Sequence, residues 1–460
     1  MLVPNLEHQI GVKTYLTDIP GVGGNIRRHF QDFIVEETLV DGSQAQVTKP
    51  FNQSSGRVLG SSSTKDRYLL CVLVKENWDT ISAIQVMANR LMTDAENIQF
   101  AGLKDTKALT SQFITIEEGS AGEIRDIRIK DIELSPIGYC RNELSTYYLF
   151  GNHFKIKIRG INHSKPTIEK RINEILEELT LIGGAPNFYG HQRFGTVRPV
   201  THLMGKAMIK ENFEEAAMIY LANPSPHEHP ESHRARKNLL KTKNFKEAFR
   251  EFPKQLRNER RMLAHLEKKP RDFMGAFRRL PLQLRRLFPQ AYQSYLFNMC
   301  LSERVEKGLS LRQAEIGDYV VGVERVGLPM IRIRQVTTIG RKTEINKAIQ
   351  DGKMRLAIPI VGFKQNLSQG VQGEIEKDIL RSEEIEPRNF MIKTFSEVSQ
   401  KGGLRTMVVP IKNFSLNKVS EDTESSTKTA ELSFTLHRGS YATVILREIM
   451  KSQDLIKAGY

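Results

Sequence analysis

One carboxylate stands out by its setting. Asp105 lies in the segment Phe100 to Gln112, FAGLKDTKALTSQ, between Lys104 and Lys107, with Gly102 to allow a tight bend. Two neighbouring cations favour the ionised carboxylate. That suits an anionic nucleophile or base better than a general acid. The same pattern also fits a solvated turn with a locally neutralised charge, and this segment alone does not choose between them. Other candidates carry less. Gly21, Gly23 and Gly24 (PGVGGNIRR) match neither GxxxxGK[ST] nor GxGxxG and read as a glycine turn. His227, His229 and His233 (HEHPESH) lack the HExxH spacing, are interrupted by Pro230 and have no cysteine nearby, so no metal site is expected. The sequence has no GxSxG elbow and no CxxC pair, which removes support for hydrolase and redox readings.

The elements that must position Asp105 read as mixed α and β. Strands are expected at the end of Gly24 to Val40, at Arg67 to Lys75 (RYLLCVLVK), at Ser111 to Glu117 and at His153 to Arg159, where FKIKIR alternates. Thr80 to Leu91 has helical spacing through Ile81, Ile84, Val86 and Met87, with Thr80 available as a cap, and Pro166 to Leu181 reads as an amphipathic helix. From about Arg198 to Arg286 the chain is helical and very basic. Phe245, Phe249, Phe273 and Phe277 recur there as a core stripe, and the lysines and arginines are expected to form a phosphate-tracking surface. Further strands are expected at Asp318 to Val326, Pro329 to Arg334, Leu404 to Ile411 and Glu431 to Leu436, with a joint at Gly402 and Gly403. Asn417 to Lys428 is polar, lacks aromatics and reads as a mobile loop, and Tyr441 to Met450 as a helix starting near Ser440 or Thr443. A chain of 460 residues allows two or three domains. Lys and Arg outnumber Asp and Glu by 68 to 53, a formal charge of +15 that favours polyanionic partners. Three distant cysteines argue against a disulfide framework and for reduced, buried thiols. No apolar run approaches the ~20 residues of a membrane span, and the N-terminus has no signal-peptide pattern. A cytoplasmic protein is expected.

The Asp105 segment resembles the catalytic loop of the TruD family of tRNA pseudouridine synthases, in which a G-x-K-D-x-x-A-x-T-x-Q pattern carries the nucleophilic aspartate. Four more segments resemble that family in its own order: Asn25 to Glu37 (NIRRHFQDFIVEE), Asn187 to Gly195 (NFYGHQRFG), Ala291 to Arg304 (AYQSYLFNMCLSER) and Gly439 to Glu448 (GSYATVILRE). The resemblance implies an α+β fold. A pseudouridine synthase catalytic domain, built on a mainly antiparallel mixed sheet from residues 1–196 and 404–460, would be interrupted by an inserted α/β TRUD domain at 197–403. Transfer RNA would be gripped between the two, and uridine-13 of the D-arm isomerised to pseudouridine. No cofactor, metal, membrane or obligate protein partner is implied. By the same resemblance Asp105 is the nucleophile and Arg27 its basic partner. Phe33, Tyr189 and Tyr441 would flank the flipped base, and Tyr189 is also a candidate for removing the C5 proton. Asn187 would read the uracil edge, Lys104 would contact substrate, and Arg193 would contact phosphate or brace its loop. Phe297 and Asn298 would shape the insertion helix.

Overall fold

The computed structural model describes residues 2–48 and 57–460. Its strands are β1 (Phe33–Leu39), β2 (Tyr68–Glu76), β3 (Ile98–Phe100), β4 (Leu109–Glu117), β5 (Ile132–Cys140), β6 (Leu149–Ile161), β7 (Ala185–Pro186), β8 (Tyr319–Val323), β9 (Pro329–Val336), β10 (Met354–Ile360), β11 (Gly403–Thr406), β12 (Val408–Val409), β13 (Lys412–Glu421) and β14 (Lys428–His437). Eight of them form one sheet in the order β13-β14-β6-β1-β4-β2-β5, with β3 attached to β4. β11, β10, β8 and β9 form a second, four-stranded sheet, and β12 pairs with β7. All of these pairings are antiparallel except β1 with β4. The sheet is therefore mixed and mainly antiparallel, as the α+β expectation required.

That single parallel pair matters most for the site. Parallel neighbours begin at the same end of a sheet, and here Ile34 lies opposite Leu109. The loop leading into β1 carries Arg27 and the loop leading into β4 carries Asp105, so the topology alone brings the two loops together.

The first of these loops is shaped by the glycine turn. Val22 and Gly23 donate their N–H groups to Ile449 and Met450. Gly24 sits at φ +87°, and a Cβ there would meet the Arg159 carbonyl oxygen at 2.6 Å, so only glycine fits. Asn25 then pairs with Arg159, exchanging hydrogen bonds of 2.8 Å.

The long helix Leu282–Glu306 packs on Thr201–Ile209 and on Gly370–Ser382, and its buried side joins one large core. Phe277 is fully buried in that core, and Phe245, Phe249 and Phe273 pack against it, as a core stripe should. The basic tract behaves less uniformly. Arg198 donates to the carbonyls of Tyr220 and Asn223, Arg236 is buried between Glu228 and Glu259, and Arg260 donates to the carbonyls of Phe249 and Phe252. These arginines brace helix ends and loops from inside. Arg234, Lys237, Lys241 and Lys246 remain exposed.

Three local expectations change. Asn417 to Lys428 is not a loop: it forms the second half of β13 and its turn, pairing Lys418 with Glu431 and Val419 with Ala430. β13 ends the sheet, so its polar composition marks a solvated edge strand. Leu404 to Ile411 is not one strand but two, β11 in the second sheet and β12 against β7. Finally, the cap of the helix Thr80–Leu91 is Asp79, which accepts from Ser82 N at 2.8 Å and frees Thr80 for another task. His229 caps the helix Pro230–Thr242, and His233 bonds the Ser225 carbonyl. Among the described residues no helix is long and apolar enough to cross a membrane.

Candidate active site

Arg27 and Asp105 meet across the mouths of their two loops, with Arg27 Nη2 donating to Asp105 Oδ2 at 2.7 Å. The two ends of this pair differ in exposure. The Arg27 side chain is 10% exposed, its guanidinium lying 4.0 Å from the centre of the Phe33 ring and within 3.4 Å of the Gly459 carbonyl. The Asp105 side chain is 43% exposed and opens into a cavity. Burial lowers the Arg27 pKa from its ordinary value, and the Asp105 charge works in the opposite sense. Arg27 also sits at φ +60°, a left-handed conformation rare outside glycine, held by the Asn25–Arg159 pairing on one side and β1 on the other. A buried, preset guanidinium aimed at a half-exposed carboxylate fixes that carboxylate in direction.

The cavity has a volume of about 830 Å³. Phe33 and Val35 of β1 and Asn152 and Phe154 of β6 line it from one face of the sheet, as alternate residues of paired strands must. Phe100 to Asp105 form a second wall, and Gln192, Arg193 and Arg438 to Thr443 a third. Tyr441 stands here, and burial raises its phenol pKa above the ordinary tyrosine value, so it is a neutral donor and acceptor.

The Asp105 loop is held from below. Lys75 is buried, and its ammonium donates to the Trp78 carbonyl at 2.5 Å and to the Asp105 carbonyl at 3.3 Å. Burial pushes its pKa down to about 8. Thr80 accepts from Lys104 N at 3.0 Å and donates to Gln112, whose amide donates to the Gly102 carbonyl at 3.1 Å. Lys104 lines the cavity, but its ammonium is drawn down to Glu37, which also accepts from Phe113 N at 2.9 Å. The partner of Asp105 is thus Arg27, whereas Lys104 anchors the loop instead of reaching out to substrate.

The remaining expected residues divide. Phe33, Arg193 and Tyr441 line the same cavity as Asp105. Tyr189 borders an adjoining cavity of about 700 Å³ that shares Arg193 with the first. It packs 6.2 Å from the Tyr441 ring, with the Arg405 guanidinium 4.0 Å from its own ring centre. Arg193 is braced by Ser294 and Gln290. Asn187 is buried with its amide engaged: Nδ2 donates to Thr406 and Oδ1 accepts from Arg405 at 2.6 Å. It lines neither cavity.

Sequence reasoning missed three contributors, Lys75, Glu37 and Arg405, and gave Asn298 only to the insertion helix. Asn298 accepts from Tyr189 N at 2.8 Å and donates to the Ile10 and Tyr189 carbonyls, tying the long helix to the Asn187 to Gly195 segment. Glu37 carried a signal, an acidic residue at a position that strand alternation turns inward. Arg405 carried none.

The family model described as tRNA pseudouridine synthase D (TruD) matches residues 9–449. A protein of Methanosarcina mazei named "Probable tRNA pseudouridine synthase D" is 37% identical over 456 residues, covering 99% of this chain and 99% of that one. A protein of the same name from Pyrococcus abyssi is 35% identical over 437 residues, 95% of this chain and 98% of its own. The crystal structure of a Methanosarcina mazei protein titled "Putative tRNA pseudouridine synthase D (TruD)" superposes with a TM-score of 0.81 at 38% identity, over 98% of this chain and 99% of that one.

Proposed function

This chain belongs to the TruD family of tRNA pseudouridine synthases, and we propose that it converts uridine-13 in the D-arm of tRNA to pseudouridine with Asp105 as its nucleophile. The observation that carries this reading is the 2.7 Å pair in which buried Arg27 aims a half-exposed Asp105 into a cavity able to enclose a nucleotide. In the reaction the N1–C1′ bond breaks, the uracil turns, and C5 bonds to C1′. The proton on C5 leaves and N1 takes one up, so the atoms balance within the nucleotide. Asp105 engages the ribose as an anion. Both routes open to it, attack on C1′ and removal of a ribose proton, use the carboxylate that Arg27 holds in place.

The target base must leave its stack to reach Asp105, at a cost of a few kcal/mol. Phe33 and Tyr441 offer apolar and aromatic surface against it, and stacking returns about 1–3 kcal/mol per base. The adjoining cavity beside Tyr189 and Arg193 gives the RNA strand a continuous path past the site. Cations on both parts of the chain, and a net charge of +15, suit a tRNA held between them.

The test is to map pseudouridine in tRNA after incubation with the wild-type protein and with Asp105→Asn. Asp105→Asn is expected to yield no pseudouridine while its tRNA affinity stays within about threefold, since the substitution removes one negative charge from the RNA-facing surface. Product formation by Asp105→Asn at the wild-type rate would overturn the nucleophile. Product at another uridine would overturn the position alone.

A further inference from the structure

At the seam between the two sheets three nitrogen-bearing side chains converge with no anion among them. Arg355 comes from β10, Lys412 is the first residue of β13, and His437 is the last of β14. The turn between β8 and β9 closes over them: a Cβ on Gly327, which sits at φ +97°, would lie 3.2 Å from Lys412 Nζ and 3.7 Å from His437 Nε2. Lys412 Nζ donates to the Val326 carbonyl at 3.3 Å and lies 4.7 Å from the centre of the Phe150 ring. Arg355 Nη1 stands 3.5 Å from His437 Nδ1. Among the described residues, no carboxylate comes within 4.0 Å of the charged nitrogens of Arg355 or Lys412.

The histidine fixes the sign of what is missing. His437 is 3% exposed, and burial together with Arg355, Lys412 and Arg438 pushes its pKa down to about 3, so it is neutral. A guanidinium only donates, so His437 Nδ1 accepts and the ring proton sits on Nε2. That N–H is buried and has no acceptor. Buried donors are almost always paired, and here one lies beside a lysine and an arginine whose donors are mostly unused. The group that completes this arrangement is an oxyanion.

We propose that this seam holds a phosphate of the RNA backbone, gripped by Arg355, Lys412 and the Nε2–H of His437. The site rests on tRNA being the substrate, and its place in the fold favours RNA over a free anion. Arg438 and Gly439, which follow His437 directly, line the cavity that holds Asp105. Arg355, Lys412 and His437 do not line that cavity themselves, so in the proposed complex the RNA strand runs on from its Arg438–Gly439 rim to this seam. Arg438 itself is engaged with the carbonyls of Thr146 and Leu149 and acts as a brace.

The experiment measures tRNA affinity against salt concentration for wild type, Lys412→Gln and Arg355→Gln. Each phosphate contact contributes about 0.7–0.9 to the slope of log affinity against log salt. Each variant is expected to lower the slope by up to that amount and to weaken binding about three- to tenfold at physiological salt. A scan of single methylphosphonate linkages in the RNA supplies a readout on wild-type protein alone. One neutralised linkage should weaken wild-type binding by a similar factor and should cost Lys412→Gln nothing further. Equal slopes in all three proteins, or methylphosphonate effects that add to the Lys412→Gln effect, would overturn the site. A shift of the His437 ring resonances with inorganic phosphate, alongside unchanged RNA slopes, would also overturn it and leave a free-anion pocket. If the wild-type protein binds no tRNA, the failure belongs to the functional reading.

Discussion

At the scale of single residues, the proposed chemistry depends on keeping one carboxylate aimed into the cavity. Among the described residues Arg27 is the one cation in an ion pair with Asp105; Arg27→Ala removes it, and kcat is expected to fall by about 10²–10³-fold, the usual cost of losing a preset electrostatic partner. Arg27→Lys keeps the charge without the fork and should fall between the two, as single-turnover rates would reveal. Lys75 adds a pH signature. Its folded pKa of about 8 lies below the 10.5 of a free lysine, so between those values the unfolded chain binds the extra proton. Stability contributed by this group therefore rises with pH across that window. Activity should do the opposite, because deprotonation weakens the clamp on the Asp105 carbonyl. An alkaline fall in kcat near pH 8 that is absent in Lys75→Met, with no loss of folded protein, is the expected profile. A fall that tracks unfolding would rule the clamp out. Asp105 and Arg27 were legible from their motifs, but Lys75 was not. Read along the chain, it is one cation at the end of an apolar strand, and only the fold turns it beneath a loop thirty residues away.

At the scale of elements, Lys104 shows why a motif can be recognised before its role is. It sits beside Asp105 in sequence, yet alternate residues of a tight loop point in opposite directions, and the ammonium descends to Glu37 on β1. Breaking such a buried pair by one partner costs about 3–5 kcal/mol, because the survivor stays charged and alone. Lys104→Met is expected to destabilise the protein by that amount in urea unfolding. Glu37→Gln combined with Lys104→Met should regain most of it, since the amide oxygen still accepts from Phe113 N. Equal destabilisation by the single and double variants would deny the coupling. The same reasoning explains the misread edge. Asn417 to Lys428 has the composition of a loop, because β13 presents one face to solvent and owes its register to β14, information that lies outside its own residues. The strands β2, β4 and β6, whose core face is written in their own sequence, were legible, as were β1, β8, β9 and β14.

At the scale of the whole molecule, the sequence suggests a catalytic part and an insertion, but the packing joins them through a shared core. Ile10, Val12 and Phe188 from the N-terminal part and Val444 from the last helix are buried in the same cluster as Phe277, Phe288 and Leu296. Asn298 crosses that cluster, bonding Ile10 and both backbone groups of Tyr189 from the long helix. Such long-range contacts leave no local period, which is why Asn298 read only as part of a helix. Asn298→Ala would leave several buried backbone groups without partners, at about 1–3 kcal/mol each. The expectation is one cooperative unfolding transition for the whole chain, shifted as a unit to lower denaturant by this single change. Circular dichroism reports helices in both parts, and the fluorine resonance of a fluorotyrosine placed at position 189 reports that region, so the two probes should move together. If the variant instead separates two transitions, and only the one reporting Tyr189 shifts, the shared core does not couple the parts. In that event the placement of Tyr189 beside the catalytic cavity is a local property of its own segment.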